Sequence, residues 1–188
     1  MARTMLPLAI AISVIAVSGC NSQKQQTANA AKGADAVKEA GDKTIASGLD
    51  QKSRFVQAAK AAGIDATLGG PGPYTVFVPD DAAFDKLPKG TFDNWLKPES
   101  RAELTSVLTY HILPGTVLAD DIGKAIDNSK GKAILATMGG ETLTATRENG
   151  KIILTDGAGD KATITKADET RANGVVQQID TVLMPPKA

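Results

Sequence analysis

The stretch Thr75-Val76-Phe77-Val78-Pro79-Asp80-Asp81-Ala82-Ala83-Phe84 decides the fold of this chain. Its first four residues are β-branched or aromatic, which predicts a half-buried or fully buried strand. Pro79 has no N–H to give to a sheet ladder, so the strand should end there. Asp80 places a carboxylate beside the free N–H groups of a following helix and is therefore a predicted N-cap. Phe84 lies one helical turn further on, on the face that folds back toward the strand.

Outside this stretch, the hydrophobic spacing predicts helices first and strands mostly second. Apolar residues recur at helical spacing before Gly63, which is a predicted C-cap. The span 98–109 predicts a core helix, and 119–125 predicts another helical turn. Short β-type runs then follow at 132–137, 142–147, 151–155, 161–165 and 174–184, of which the last is apolar and expected to be central. Asn149-Gly150 between two runs predicts a hairpin, and the whole order indicates an α+β fold rather than a parallel βαβ fold.

Composition limits the classes of function that this chain can serve. The 188 residues carry 21 Lys+Arg and 21 Asp+Glu, so the formal net charge is zero. A general nucleic-acid binder normally has a basic excess, so nucleic acid is not an expected partner. Hydrophobic residues make up 42% of the chain and aromatic residues 4%, so aliphatic side chains must build most of the core. The one cysteine, Cys20, excludes an intramolecular disulfide.

The N-terminus has the pattern of a leader. Arg3 precedes a short apolar run, Leu6 to Val17, which is too short to span a bilayer as a stable helix. Val17-Ser18-Gly19-Cys20 resembles the end of a bacterial lipoprotein signal, which implies cleavage before Cys20 and lipidation of that cysteine. Two or more acyl chains hold a protein stably at a membrane. The alternative is an ordinary secretory signal that happens to end near a cysteine.

The leader divides the chain into three predicted parts. Residues 1–19 are the predicted signal peptide, 20–42 a flexible tether, and 43–186 a single folded domain. The tether is polar, rich in Gln, Ala and Lys, and lacks aromatic residues, so it cannot bury enough apolar surface to fold alone. Asn21 after the cysteine, rather than Asp, favours the outer membrane if the cell has two membranes.

Three stretches in order resemble the fasciclin-like domain family. They are Thr75 to Phe84, Tyr110-His111 and Asn173 to Pro185, and order and spacing agree across about 140 residues. The resemblance implies a compact wedge of two small β-sheets with a cluster of helices. One departure is Gln177, where the family often has His, which leaves open the polar contact that this histidine makes.

The resemblance also implies a function, namely adhesion or interaction at the cell surface. In family members the Tyr-His region is linked to adhesion, so the interaction candidates are Tyr110, His111, Ile112 and Leu113. The residues of the structural signature are Thr75, Phe77, Pro79, Asp80, Phe84, Asn173, Gly174 and Asp180. Asn173-Gly174 is expected to form a turn that sets the register of the last strand, and Asp180 to meet a backbone donor.

Candidate chemical groups are few. His111 is the one histidine, and without cysteine partners it cannot complete a common zinc set. We expect it to be a hydrogen-bonded structural histidine, with catalysis or ligand contact as the alternative. Asp80-Asp81 could be paired acid/base carboxylates, but a helix cap and a loop anchor fit better. Asp156 to Asp160 lacks the closing Glu of a calcium loop and indicates a hairpin loop.

These observations leave three hypotheses for function. The first is a lipid-anchored extracytoplasmic domain that binds an unknown surface protein or glycan. The second is a structural or stress-related envelope lipoprotein without an adhesive role. The third is a hydrolase that uses His111 with Asp80 or Asp81, which requires an open cleft. We expect no enzyme activity, cofactor or metal, and a monomer attached to the membrane through lipid on Cys20. Phe92 and Trp95 could form an exposed patch, although core burial is expected.

Overall fold

The computed structural model describes residues 42–186. The predicted signal peptide, Cys20 and nearly all of the predicted tether lie outside the described residues. Within 42–186, none of the helices has the length and apolar character needed to cross a membrane.

Helices both precede and follow the first strand along the chain. They are α1 (Ile45–Gly48), α2 (Arg54–Ala62), α3 (Asp65–Gly69), α4 (Asp81–Asp85), α5 (Thr91–Trp95), α6 (Arg101–Tyr110) and α7 (Ala119–Asn128), with a 3-10 turn at Pro98–Ser100. Gly63 ends α2 in the left-handed conformation, as predicted from the spacing before it. The predicted helix 98–109 therefore begins as a 3-10 turn and continues as α6.

The strands form one sheet. They are β1 (Tyr74–Pro79), β2 (Ile112–Pro114), β3 (Lys132–Ala136), β4 (Thr142–Glu148), β5 (Lys151–Thr155), β6 (Lys161–Arg171) and β7 (Gly174–Ile179). Their order in the sheet is β2-β1-β7-β6-β5-β4-β3. The two small sheets expected from the resemblance are two halves that share the long strand β6, whose ladder with β7 shifts register twice. The α+β class and the single domain are confirmed.

The first and last strands pair in parallel at the centre of the molecule. Thr75 faces Val175 and Pro79 faces Ile179 in this ladder. Both strands are buried on two sides, because helices cover one face of the pair and the remaining strands with α7 enclose the other. Val76 and Val176 belong to the core on the helical side, whereas Phe77 belongs to the core inside the sheet. Burial on both faces explains why apolar residues stand side by side in these strands, at 76–78 in β1 and at 175–176 in β7.

Two strand boundaries differ from the sequence-based prediction. β6 continues to Arg171, six residues beyond the predicted end at Thr165, although its second half is polar and mostly exposed. Its pairing with β7 supplies the reason, since backbone ladders need no apolar pattern. β7 ends at Ile179, and residues 180–186 continue without regular structure. The Asn149-Gly150 hairpin between β4 and β5 forms as predicted, with both residues at positive φ.

Candidate functional site

His111 lies at the end of α6 and is fully buried. Its Nδ1 lies 2.8 Å from the carbonyl oxygen of Val107, and the N–H of Leu183 donates to its Nε2 at 3.0 Å. A carbonyl can only accept, so Nδ1 carries the proton and the ring is neutral. Burial lowers the pKa of His111 to about 4. Both ring nitrogens are thus occupied by structural bonds, which confirms the structural role predicted for this side chain.

The other three interaction candidates are also inside the fold. Tyr110, Ile112 and Leu113 are each 3% exposed or less. The hydroxyl of Tyr110 donates to the carbonyl oxygen of Thr142 and accepts from the N–H of Gly157. The structure therefore corrects the expected contact surface at 110–113, because the apolar face of α6 and strand β2 bury these side chains. A partner could reach them only if the domain opened locally.

Asp80 is the N-cap of α4, as predicted. Its Oδ1 accepts from the N–H of Ala83 at 2.7 Å, and the N–H of Asp80 itself continues the ladder to the carbonyl oxygen of Ile179. Asp81 has a separate role, since its Oδ1 accepts from the N–H of Arg54 at the start of α2. The two carboxylates thus act as a cap and an anchor between helices, and they do not form an acid/base pair.

Asn173 joins three parts of the fold through one buried side chain. Its Oδ1 accepts from the N–H of Ile45 at 2.7 Å, and its Nδ2 donates to the carbonyl oxygens of Leu68 and Gly70 at 2.9 and 2.8 Å. Gly174 follows at the start of β7, where an added Cβ would lie 2.0 Å from the carbonyl oxygen of Tyr74. These contacts tie the turn before β7 to the helical side of the fold, and the role of Asn173-Gly174 in setting the register of the last strand stays a prediction.

The remaining signature residues also serve the scaffold. Oδ1 of Asp180 accepts from the N–H of Thr163 at 2.8 Å. Burial alone would raise the pKa of Asp180, but hydrogen bonds from Thr163 and Thr181 and the nearby Lys86 hold it below its usual range. Thr75 is buried and its hydroxyl joins two loop residues after β2, because it donates to the carbonyl oxygen of Gly115 and accepts from the N–H of Val117. Phe77 and Phe84 lie in the two cores.

The loop after β5 holds the end of the chain. Oδ1 of Asp156 accepts from the N–H groups of Ala158 and Asp160, which closes the predicted hairpin loop. Its Oδ2 accepts from the N–H of Met184 at 2.7 Å. Asp156 is 7% exposed, so its carboxylate is committed to these three backbone donors.

One polar cluster was not identified from the sequence. Oε1 of Gln177 accepts from the N–H of Asp168, and its Nε2 donates to Oδ1 of Asp168 at 2.7 Å. The same Oδ1 accepts from the N–H of Ala119, the first residue of α7. Asp168 therefore caps α7 from a distant strand, and Gln177 makes a polar contact where the family often has His. The only sequence signal was the departure at Gln177 itself.

The described surface has several open grooves. One groove of about 400 Å³ lies between α2, α4 and α5, where Arg54 stacks over the ring of Phe92 and pairs with Asp85. Phe92 is partly buried, while Trp95 is 2% exposed and donates from Nε1 to Glu103. Within residues 42–186, no cluster of three His, Cys, Asp or Glu side chains could hold a metal ion.

Comparisons with known proteins show which family this chain resembles in sequence. The family model for the Fasciclin domain matches residues 50–185. Protein sll1483 of Synechocystis sp. is 37% identical over 142 residues, which cover 76% of this chain and 72% of that protein. The cell surface glycolipoprotein MPB83 of Mycobacterium bovis is 37% identical over 120 residues, which cover 64% of this chain and 47% of that protein.

Two further similarities involve longer animal proteins. The transforming growth factor-beta-induced protein ig-h3 of Sus scrofa is 31% identical over 142 residues, which cover 76% of this chain but 19% of that protein. A solved FAS1 domain pair from the insect cell adhesion molecule Fasciclin I aligns with 84% of this chain and 46% of its own, at a TM-score of 0.46 and 19% identity.

Proposed function

The chain belongs to the fasciclin-domain family, and we propose that it is a membrane-anchored extracytoplasmic domain that mediates adhesion or binding at the cell surface. One observation carries the proposal: the conspicuous polar side chains of the signature stretches are used to hold the fold. His111, Asn173 and Asp180 each bond backbone groups of other segments, and Asp80 bonds the first turn of the helix that it caps. Because these polar groups are used to hold the fold, the domain offers its outer surface for binding and not a reactive cleft.

The anchor is the second part of the proposal. The lipoprotein-like stretch that ends at Cys20 supplies the attachment, and the relative MPB83 is named a cell surface glycolipoprotein. The carbonyl oxygen of Lys43, at the start of the domain, accepts a hydrogen bond from the N–H of Ala172 in the β6–β7 turn. The tether predicted from composition, at about 22 residues, would as a coil have a mean reach of roughly 25 Å and would lift the domain just clear of the headgroups.

Fractionation of cells tests the anchor. Cys20→Ser should move the protein from the membrane fraction to the soluble fraction, because the acyl chains attach to that sulfur. Asn21→Ser, a change of the next residue that leaves the cysteine in place, is the matched control and should stay with the membrane. Retention of the Cys20→Ser protein at the membrane would contradict a lipid anchor.

Protease treatment of whole cells separates adhesion from a purely structural envelope role. An adhesive domain must face outward and should be cut or removed, whereas a domain that faces the periplasm stays intact until the outer layer is broken. Intact protein after treatment, with a known surface protein digested in parallel, would favour the structural alternative.

A hydrolase that used His111 would need this side chain to be free to act as a general base. A general base must reach the proton it removes, whereas both nitrogens of His111 are hydrogen-bonded in the buried core.

A further inference from the structure

The edge strand β3 is the most apolar exposed element of the described domain. Ile134 is 64% exposed and Met138, just after the strand, is 42% exposed; the remaining exposed large hydrophobic residue within 42–186 is Leu96 at 37%. Ala136 between them is exposed as well. Natural edge strands are usually shielded by charge, proline or a covering element, because their free backbone groups invite another chain.

The backbone of β3 has an unused hydrogen-bonding side. The N–H of Thr137 donates to the carbonyl oxygen of Glu141, which places the bonded pairs with β4 at odd-numbered positions of β3. Ile134 and Ala136 face Thr144 and Thr142 as non-bonded pairs. Their N–H and C=O groups therefore point away from β4, on the side where the sheet order ends.

The sheet almost closes into a barrel at this edge but stops short. The N–H of Met138 donates to the carbonyl oxygen of Ile112 in β2 at 2.7 Å. β2 has three residues and ends at Pro114, which cannot donate a ladder hydrogen bond. The edge of β2 is thus protected, whereas β3 pairs with β4 alone among the described strands.

The charge near this edge is positive at one end. Lys130 and Lys132 are exposed and form no ion pair with any residue from 42 to 186. The carboxylate on the neighbouring strand is that of Glu148, which is paired with Lys161, and Glu141 precedes this strand beside the opposite end of β3. An incoming strand would therefore be favoured if its acidic residues met the lysine end.

We propose that the free edge of β3 binds one extended segment of another polypeptide, by adding a strand whose carboxylates face Lys130 and Lys132 and whose short apolar side chains contact Ile134. Backbone bonds to Ile134 and Ala136 supply general affinity, and the side chains supply selectivity. The inference deepens the proposed function by naming one surface for it. Its test uses purified protein, so it can fail independently of anchoring and exposure on cells.

The probe is a capped heptapeptide of alternating valine and threonine that ends in two aspartates, titrated against the full chain in detergent. Antiparallel addition should shift the amide resonances of Ile134 and Ala136. Ile134→Thr should weaken binding several-fold, because the new side chain is still β-branched and uncharged but loses apolar contact with the valines of the peptide. Leu96→Thr, which changes the exposed residue at the end of α5, is the matched control and should bind as the unaltered chain does.

Two altered peptides separate the contribution of the backbone hydrogen bonds to binding from the contribution of the charges. Methylation of alternate peptide nitrogens should abolish binding, and replacement of the aspartates by lysines should weaken it several-fold. The absence of amide shifts with the acidic peptide at about 1 mM would overturn the proposal. At this concentration even a binding free energy of about 4 kcal/mol would be detected. Equal binding by the methylated peptide would also overturn the proposal. A dimer in sedimentation that Ile134→Lys abolishes would assign the edge to a second copy, and would overturn it too.

Discussion

Replacement of Asn173, the polar residue of the β6–β7 turn, by alanine should strongly destabilise the domain. The side chain bonds Ile45, Leu68 and Gly70, and it is 7% exposed. The bonds to Ile45 and Leu68 are fully buried, so their backbone groups would be left without partners. Each buried unsatisfied group costs about 1–3 kcal/mol.

The expected loss is therefore about 3–4 kcal/mol in the free energy of unfolding, from two buried groups and a smaller share for Gly70. Urea unfolding followed by circular dichroism measures it, with the slope of the transition unchanged. In a domain of this size the midpoint of thermal unfolding should fall by roughly 10 °C. Asn128→Ala at the exposed end of α7 is the control, and its effect should stay within about 0.5 kcal/mol.

A loss below about 1 kcal/mol for Asn173→Ala would refute this reasoning, since it is less than the cost of one buried unsatisfied group. It would show that water replaces the amide in this turn. Hydrogen exchange of the folded variant gives a second check. Faster exchange than in the unaltered protein, confined to the amides of α1 and α3, would agree with the bonds described, because those helices contain Ile45 and Leu68.

Three further predictions concern the cap, the histidine and the close strand contact. Asp80→Ala should lower the free energy of unfolding by about 1 kcal/mol through loss of the α4 cap; an unchanged urea midpoint would contradict this. His111 has a pKa near 4 in the folded state and a higher one when unfolded, so the unfolded state binds more protons between these values. The contribution of His111 to stability should be fully present above about pH 6.5 and be lost as the pH drops toward 4; His111→Gln should flatten the slope of stability in this range, and an equal slope in both proteins would contradict the assignment. Gly174→Ala should cost about 3 kcal/mol or prevent folding, because its Cβ would lie 2.0 Å from the carbonyl oxygen of Tyr74. Gly139→Ala, whose Cβ would have ordinary contacts, is the control, and equal thermal midpoints for the two would contradict the clash.

Features that depend on nearby residues were predictable. The Asp80 cap, the Gly63 helix end and the Asn149-Gly150 hairpin follow from interactions over a few residues, and the structure contains all three. The structural role of His111 could also be anticipated, since it follows Leu104, Val107 and Leu108 at helical spacing on the buried face of α6.

The same spacing conflicts with the predicted contact surface at 110–113. Tyr110 to Leu113 were selected by family resemblance, yet an apolar helix end that enters a central strand pair has to be buried. The Gln177–Asp168 cluster could not be predicted for a different reason. Its partners are nine residues apart on strands joined by a turn, and the third member, Ala119, comes from a distant helix.

The amino-acid sequence by itself determined the class of fold and most of the local turns, because each rests on short-range propensity or hydrophobic period. Tertiary structure alone decided which polar groups form internal hydrogen bonds and which surfaces stay free for a partner. The bond from Ile45 to Asn173 spans 128 positions, and the open edge of β3 exists because β2 is too short to close the barrel. Such outcomes depend on how distant segments compete for the same backbone groups, which local pattern does not encode.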